Sequence, residues 1–290
     1  MRFALINNIR TEAKPQLQGI CTCCSSPVIA KCGKQKIWHW AHKSKNDCDN
    51  WWESETEWHR TWKNNYPAEW QEISLLNPKT GEKHIADVQT ANNLVIEFQH
   101  SHIDLQEQTS REKFYKNMVW VIDGTRLKRD YPRFLKEWKG NRFIDVHKTD
   151  KLGVFKVWFP EYCFPEAWLN SSVPVIFDFR GDGTMDDHEG MRNTLYCLFP
   201  QVGRHVRVAE ISRKAFINST TNGEWTIRVQ EFLNNIRKQD EIEIKEQQRN
   251  MYRHSSKVIY TYRGIPLIGG YNEFRKRFGG SNKPNRKGRR

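Results

Sequence analysis

The sequence contains no apolar run of about twenty residues, the length that a helix needs to cross a bilayer. Its first residues, MRFALINNIRTEAK, also lack the apolar core and the small-residue cleavage site of a secretory signal. These two absences predict a cytoplasmic protein with no membrane partner. Internal repeats are absent as well, and only the C-terminal tail is of low complexity, so we divide the chain by composition.

Acidic residues are absent after Glu273, whereas eight lysines and arginines lie between Arg275 and Arg290. They provide much of the net charge of +13. A charge of this sign suits a polyanionic partner such as DNA, because each phosphate that Lys or Arg neutralises releases condensed counterions. A basic tail is equally often a disordered segment that serves solubility, so the composition leaves both interpretations open.

The seven cysteines are an odd number in a chain without an export signal, which favours metal binding over disulfides. Cys21-x-x-Cys24 followed by His39-x-x-His42 has the ligand types and spacing of a structural zinc site. The other cysteines of the first fifty residues are Cys23, Cys32 and Cys48. Cys48 could replace either histidine, and the alternative is a reduced cysteine-rich loop that holds no metal. Four protein ligands leave no position for water, so we expect the zinc to be structural.

Residues 51–148 alternate between helical and strand-like patterns. The patterns predict, in order, a helix over 51–66, strands over 72–76, 83–90 and 93–100, a helix over 104–117 and a strand over 118–122. The last strand is apolar throughout, which is typical of a strand covered on both faces, and it follows a helical crossover. We therefore expect it to lie parallel to the third strand, in an α/β fold with the order αβββαβ.

Two acidic residues interrupt neighbouring apolar strands. Side chains alternate along a strand, so Val95, Glu97 and Gln99 share one face. Asp87 lies in the apolar run Ile85-Ala86-Asp87-Val88 of the preceding strand, where an unpaired carboxylate would be costly. If these strands pair, Asp87 and Glu97 approach one another and repel unless a cation lies between them. Oxygen ligands alone select a hard ion, so we predict a Mg²⁺ or Mn²⁺ site.

A carboxylate-bound metal can activate a water and neutralise the charge that grows on a phosphate during phosphodiester hydrolysis. On the first predicted helix, Glu55 and His59 are four residues apart and share a face, so they could border the same site. The alternative for these residues is structural. Asp87 and Glu97 would then be polar residues at a sheet edge, and Glu55 and His59 an ordinary surface pair.

Several short motifs occur in a fixed order along residues 20–125. They are Cys21-x-x-Cys24, Trp38-His39-Trp40-Ala41-His42, Glu55-x-x-x-His59-x-x-x-Lys63, Ile85-Ala86-Asp87-Val88, Ile96-Glu97-Phe98-Gln99-x-Ser101, and Arg111-x-x-x-Tyr115 before Trp120-Val121-Ile122. In these motifs the chain resembles the competence protein CoiA-like family, which is assigned to the PD-(D/E)xK nuclease superfamily. The resemblance implies an αβββαβ nuclease core with Asp87 and Glu97 as metal ligands. It also implies Glu55, or Glu57 in its place, as the helical acid, and favours the Cys21, Cys24, His39 and His42 zinc set.

Gln99 stands where the namesake motif of that superfamily has a lysine. A glutamine can position water or a phosphate oxygen but brings no charge, and the family resembles superfamily branches that use glutamine here. We therefore keep Gln99 in the predicted catalytic set with Glu55, His59, Asp87 and Glu97, and leave the rate that it supports open.

The predicted organisation has four parts: a zinc-finger-like Cys/His module over 1–50, a PD-(D/E)xK nuclease-like domain over 51–148, an α+β C-terminal domain over 149–278 and a basic disordered tail over 279–290. The leading hypothesis is a Mg²⁺- or Mn²⁺-dependent deoxyribonuclease that acts in DNA uptake, recombination, repair or defence against foreign DNA. One alternative is a DNA-binding module of the same fold with weak or no catalysis. Another is a defence effector nuclease controlled by a protein partner that binds residues 149–290.

Overall fold

The computed structural model describes residues 1–44, 48–49, 51, 54–140, 143–180, 193–202, 205–255, 259–262 and 265–268. The basic tail predicted over 279–290 lies outside the described residues. The chain divides into two compact units, Met1–Phe232 and Leu233–Arg290. Within the described ranges, no helix combines the length and the apolarity that a bilayer crossing requires.

The N-terminal module is a five-stranded antiparallel sheet in the order β2-β1-β3-β4-β5. Its strands are β1 (Phe3–Ile6), β2 (Ile9–Glu12), β3 (Gln18–Ile20), β4 (Pro27–Lys31) and β5 (His39–His42). Asn7 and Asn8 join the first two strands, and their φ values of 51° and 65° are those that a two-residue hairpin turn requires. Val28 and Trp40 lie in a small buried cluster that also contains Cys21.

A nine-stranded mixed sheet forms the centre of the larger unit, in the order β10-β11-β14-β13-β12-β9-β8-β7-β6. Its strands are β6 (Gln71–Leu76), β7 (Lys83–Gln89), β8 (Val95–Gln99), β9 (Met118–Asp123), β10 (Asp145–Lys148), β11 (Val154–Trp158), β12 (Val175–Asp178), β13 (Thr194–Leu198) and β14 (Val206–Ser212). The predicted mixed α/β class is confirmed. The boundary predicted at residue 148 falls at the end of β10, inside this sheet.

The α-helices within the described residues are α1 (Glu57–Lys63), α2 (Leu105–Tyr115), α3 (Asp130–Gly140), α4 (Arg213–Thr221) and α5 (Glu224–Ser255). Strands β6, β7 and β8 form an antiparallel meander, and α2 carries the chain from β8 to the parallel neighbour β9. The parallel pairing expected for the last strand of the αβββαβ order is therefore observed. In the smaller unit, β15 (Ile259–Tyr262) and β16 (Ile265–Ile268) form an antiparallel pair.

Helices α1 and α2 pack on opposite faces of β8. Trp62 of α1 stacks on Phe98 with ring centroids 5.7 Å apart, whereas Arg111 of α2 contacts the adjacent residue, Glu97. Because successive side chains of a strand point to opposite faces, these two contacts place the helices on either side of the sheet. The indole N–H groups of Trp58 and Trp62 donate hydrogen bonds to Asp178 at 3.1 and 2.9 Å, which fixes α1 against the end of β12.

Candidate metal-binding and acidic sites

The start of α1 determines where Glu55 and His59 lie. Thr56 caps the helix: its Oγ1 accepts a hydrogen bond from the backbone N–H of His59 at 3.4 Å, and Nδ1 of His59 accepts one from the backbone N–H of Thr56 at 3.2 Å. Such a reciprocal cap satisfies two backbone N–H groups and begins the helix there. The helix predicted over 51–66 is thus corrected to Glu57–Lys63, and Glu55 lies before it, so Glu55 and His59 share no helical face.

Lys63, in the last turn of α1, is the shared cation of three carboxylates. Its Nζ lies 2.7 Å from Oε1 of Glu55 and 3.2 Å from Oε1 of Glu72. The third carboxylate, that of Asp87, has its Oδ1 at 3.6 Å. Burial alone would lower the pKa of Lys63, but these carboxylates hold it above its ordinary value. Lys63 is therefore charged and central to the local electrostatics.

Glu55 and Glu72 both stay ionised because of their partners. Burial alone would raise the pKa of Glu55, but Lys63 and Arg60, whose Nη2 lies 2.5 Å away, lower it. Burial would likewise raise the pKa of Glu72, but Lys63 and the N–H groups at the start of the chain lower it to about 2. The backbone N–H of Arg2 lies 2.7 Å from Oε1 of Glu72. The N-terminal module thus contributes directly to this charge network.

Asp87 and Glu97 lie side by side where the ladder between β7 and β8 ends. The ladder stops at the pair of Val88 with Ile96. Beyond it, Oδ2 of Asp87 accepts a hydrogen bond from the backbone N–H of Phe98 at 3.0 Å, and Oε1 of Glu97 accepts one from the backbone N–H of Asp87 at 3.1 Å. Each carboxylate thus accepts a hydrogen bond from a backbone N–H of the neighbouring strand. We call these two residues the acidic pair.

Arg111 of α2 offsets the negative charge of Glu97, and it does so from the opposite side of the sheet to Lys63 of α1. Its Nη1 donates to Oε2 of Glu97 at 3.0 Å, and its Nη2 donates to Glu107. Glu97 is only 3 % exposed. Burial, and then the charge of Asp87, raise the pKa of Glu97 to about 8, although Arg111 opposes the shift. The acidic pair therefore resists carrying two negative charges unless a further cation is present.

Asp49 is a buried acid beside the acidic pair that the sequence analysis missed. Its Oδ2 accepts a hydrogen bond from the backbone N–H of Ile85 at 2.7 Å, and its Oδ1 accepts one from the backbone N–H of Trp51 at 3.0 Å. The charge of Asp49 contributes to the raised pKa of Glu97. No periodicity or spacing marks this residue, because its contact with β7 depends on how the N-terminal module lies against the sheet.

A cavity of about 70 Å³ adjoins the acidic pair. Its lining includes Asp49, Glu55, His59, Lys63, Asp87, Glu97 and Arg111. Four of the five predicted catalytic residues are thus brought together. The fifth, Gln99, lines a different cavity, and its amide Nε2 lies 3.2 Å from Oγ of Ser101.

The acidic pair has the donor atoms that a divalent cation requires. The four oxygens of Asp87 and Glu97 each meet one N–H group or cationic nitrogen. A carboxylate oxygen has two lone pairs, so each oxygen retains one for a metal. Mg²⁺ and Mn²⁺ prefer such oxygen ligands. The side chain of Asp87 is 25 % exposed, so this ligand is open to solvent.

The N-terminal module holds a second group of possible metal ligands, the Cys3His group, formed by Cys21, Cys24, His42 and Cys48. One donor atom of each residue lies within 4.8 Å of the others. Sγ of Cys21 is 3.6 Å from Sγ of Cys48, and Sγ of Cys24 is 3.3 Å from Nε2 of His42. Three thiols and an imidazole are a donor set of structural zinc sites, so this group could bind zinc.

His39 lies outside the Cys3His group, which corrects its assignment as a zinc ligand. Its Nδ1 lies 2.8 Å from the carbonyl oxygen of Ile37. The physical reason is that His39 and His42 belong to strand β5, where residues three apart point to opposite faces. The same spacing would bring them to one face of a helix. Cys48 joins the group instead, which is the alternative that the sequence left open.

The thiols of the Cys3His group differ in acidity. Burial alone would raise the pKa of Cys24, but hydrogen bonds with Ser26 and His42 lower it to about 6. Burial raises the pKa of Cys21 and of Cys48. Zinc binds the thiolate, so zinc binding to this group would release protons.

Comparison with known families agrees with this picture of the N-terminal module. Residues 7–50 match the family model described as competence protein CoiA, N-terminal domain. The matched range contains the whole Cys3His group and strands β2 to β5. No curated protein and no solved structure matches the chain. This range is therefore similar to the N-terminal domain of the competence protein CoiA family, which the motifs of the chain also resemble.

Proposed function

We propose that the protein is a Mg²⁺- or Mn²⁺-dependent nuclease that hydrolyses phosphodiester bonds in DNA at the acidic pair. The observation that carries this proposal is the side-by-side position of the partly exposed Asp87 and the buried Glu97, with the pKa of Glu97 raised to about 8. Two acids held in this way gain most from a divalent cation, because the cation replaces their repulsion with attraction. The αβββαβ order around them is that of the superfamily which the motifs resemble.

The chemistry would divide between the metal and the residues around it. A bound metal supplies an activated water and neutralises charge on the phosphate. Asp87 and Glu97 would hold it, and Arg111 fixes Glu97. Lys63 keeps a positive charge 3.6 Å from Asp87, which supplies from α1 the charge that Gln99 does not bring.

The N-terminal module supports a role connected with DNA. Its match to a competence protein domain links the chain with DNA uptake or recombination. In this proposal the zinc of the Cys3His group is structural. It would hold together a module whose buried cluster is small.

A second candidate function is DNA binding without hydrolysis. It is favoured by the cations that already compensate the acidic pair, since Lys63 and Arg111 stabilise it without a metal. It is also favoured by Gln99, whose amide contacts Ser101 and lines a separate cavity. The two functions make different predictions for the same assay.

The test is cleavage of labelled single- and double-stranded DNA with Mg²⁺, with Mn²⁺ and with neither, for the wild type and for Asp87→Asn and Glu97→Gln. These isosteric changes preserve shape but remove one charged metal ligand each. We expect both to reduce cleavage to background. Glu107→Gln is the matched control, because Glu107 also contacts Arg111 but is not a proposed ligand.

Each outcome decides between the candidates. Undiminished cleavage by both acidic-pair variants would exclude the acidic pair as the active site. A wild type that binds DNA but cleaves none with either metal would favour the second candidate.

A further inference from the structure

A second cavity, of about 250 Å³, lies at the carboxyl ends of the parallel strands β8 and β9. We call it the arginine cavity, because Arg126, Arg129 and Arg133 all line it. Gln99 enters it from the end of β8 and Asp123 from the end of β9. It shares no lining residue with the cavity beside the acidic pair. In open α/β sheets, ligands bind outside the carboxyl ends of the strands, so this cavity lies where such folds bind ligands.

Three arginines line the arginine cavity, and so do three acids, Asp123, Asp130 and Glu166. Arg126 and Arg129 are exposed, and neither forms an ion pair within the described ranges of the chain. Arg133 lies 3.5 Å from Asp130, its neighbour one turn earlier. The guanidinium group is planar and presents its donors in a fork that matches two oxygens of a phosphate. Of the three arginines, Arg126 and Arg129 are the ones whose guanidinium groups are left to bind an anionic ligand.

The carboxylate of Asp123, the acid at the end of β9, has its hydrogen-bond partners outside the three arginines. Oδ1 of Asp123 accepts hydrogen bonds from the backbone N–H and Oγ1 of Thr125 at 2.8 and 2.6 Å. Its Oδ2 lies 2.7 Å from Nδ1 of His100. Of the other two acids in the lining, Asp130 pairs with Arg133, and Glu166 is the remaining one.

Arg133 is less exposed than Arg126 and Arg129. Its Nε is buried and has no hydrogen-bond partner among the residues that the structure describes. A buried N–H without an acceptor costs about 1–3 kcal/mol. A ligand in the arginine cavity cannot reach this atom, so a phosphate would contact Arg133 through the exposed part of its side chain.

We propose that the arginine cavity binds a backbone phosphate of a nucleic-acid strand, held by Arg126, Arg129 and Arg133. The choice of a nucleic-acid strand as the source of the phosphate rests on the proposed function. Gln99 and Glu97 are two residues apart on one face of β8, which is about 6.6 Å along the strand. A phosphate beside Gln99 therefore lies on the order of one nucleotide unit from the acidic pair. The cavity would hold the strand next to the bond that is cut.

The experiment measures binding of a fluorescein-labelled single-stranded oligonucleotide by fluorescence anisotropy, in buffer without Mg²⁺ or Mn²⁺. The full-length chain carries Glu97→Gln throughout, so that cleavage does not contribute. In this background, Arg126→Gln/Arg129→Gln should weaken binding by about tenfold at low salt, with a salt slope reduced by about one for each lost phosphate contact. Arg133→Gln should weaken it to a smaller extent.

The matched control is Lys128→Gln/Lys136→Gln, which removes two exposed charges from the same segment without touching the cavity lining. We expect this control to bind nearly as well as the background protein. Equal losses in the arginine and lysine variants would overturn the proposal. Competition by inorganic phosphate as strong as that by the unlabelled oligonucleotide would also overturn it, because the cavity would then bind free phosphate and not a strand.

The outcome does not depend on whether the protein is a nuclease. A specific loss of binding in the arginine variants, together with a wild type that cleaves no DNA, would support the arginine cavity and reject the proposed hydrolysis. If the wild type cleaves DNA but the arginine and lysine variants lose binding equally, the proposed hydrolysis is supported and the arginine cavity is rejected. Thermal unfolding of each variant shows whether the exposed changes leave the fold intact.

Discussion

The Cys3His group and the acidic pair both gather metal ligands, but the protein holds them together in different ways. In the Cys3His group, two pairs of donor atoms are in contact, Cys21 with Cys48 at 3.6 Å and Cys24 with His42 at 3.3 Å. Burial raises the pKa of the Cys21 and Cys48 thiols, and protonated thiols can lie close together without repulsion. The two carboxylates each have their own cation, Lys63 for Asp87 and Arg111 for Glu97. We therefore expect the Cys3His group to depend on a metal for its cohesion. The acidic pair is already held by Lys63 of α1 and Arg111 of α2.

We expect the largest effect, a loss of folding stability, for Lys63→Met. The buried Glu72 and the partly buried Glu55 and Asp87 would lose their shared cation, and breaking a buried ion pair typically costs about 3–5 kcal/mol. We expect the free energy of unfolding in urea to fall by about this amount. Lys113→Met, on an exposed position of α2, is the control. Adding Glu72→Gln to Lys63→Met should restore part of the stability, and no recovery would argue against the shared-cation role.

The second prediction concerns the metal of the Cys3His group. Cys48→Ser should lose bound zinc as measured by elemental analysis, whereas His39→Ala should retain it, since His39 lies outside the group. A ligand present at a thousand times its dissociation constant stabilises a fold by about 4 kcal/mol. Chelation should therefore lower the unfolding temperature of the wild type but leave Cys48→Ser unchanged. Zinc loss in His39→Ala with retention in Cys48→Ser would reverse the ligand assignment.

The third prediction is a pH dependence without Mg²⁺ or Mn²⁺. Folded protein keeps the proton of Glu97 up to about pH 8, whereas the unfolded chain releases it near 4.5. The folded state therefore binds more protons between these values, and the stability that Glu97 contributes is lost as pH rises through this window. We expect Glu97→Gln to remove this fall in urea denaturation.

Glu72→Gln provides the contrast of opposite sign for this test. The pKa of Glu72 is lowered to about 2, so its contribution is present above pH 4.5 and is lost as pH falls from there towards 2. Identical pH profiles for the wild type and Glu97→Gln would contradict the raised pKa of Glu97.

The smallest predicted effect is for the cap of α1, the helix that carries Lys63. Thr56→Ala removes the hydroxyl that accepts the backbone N–H of His59, which costs about 1 kcal/mol at a typical N-cap. Thr61→Ala, at an exposed position inside the same helix, should be neutral or slightly stabilising, since alanine favours helix. A loss in Thr61→Ala as large as in Thr56→Ala would show that the cap contributes nothing particular. Thermal unfolding resolves a difference of this size.

Sequence patterns predicted correctly those features of the fold that local structure determines. The alternation of β7 and β8 predicted the meeting of Asp87 and Glu97, and the apolar run of β9 predicted its parallel place beside β8. The start of α1 was missed because its capping box uses His59 where the familiar pattern has Glu or Gln. Trp51, predicted inside that helix, instead stacks on His84 with ring centroids 3.1 Å apart.

The remaining features depend on tertiary contacts that no spacing encodes. Whether His39 faces the cysteines depends on whether its segment is a strand or a helix, and the spacing alone fits both. Asp49 acquires its role only because the N-terminal module lies against β7. Gln99 is the last residue of β8. Because the strand ends there, its amide Nε2 contacts Ser101, and its side chain lines the arginine cavity and not the cavity beside the acidic pair.

Strand β6 lies at one edge of the nine-stranded sheet. The residues that cover this edge limit which fragments of the chain can be produced separately. An uncovered edge offers unpaired backbone groups to other chains and promotes aggregation. Here Arg10 donates to the carbonyl oxygens of Ala68 and Gln71 at 2.7 and 2.5 Å, and Glu72 accepts backbone N–H groups from the start of the chain. A fragment that begins after residue 50 would retain the acidic pair but lose this cover. For expression, fusion or domain exchange, the smallest fragment that keeps the edge protected is one that includes the first strands.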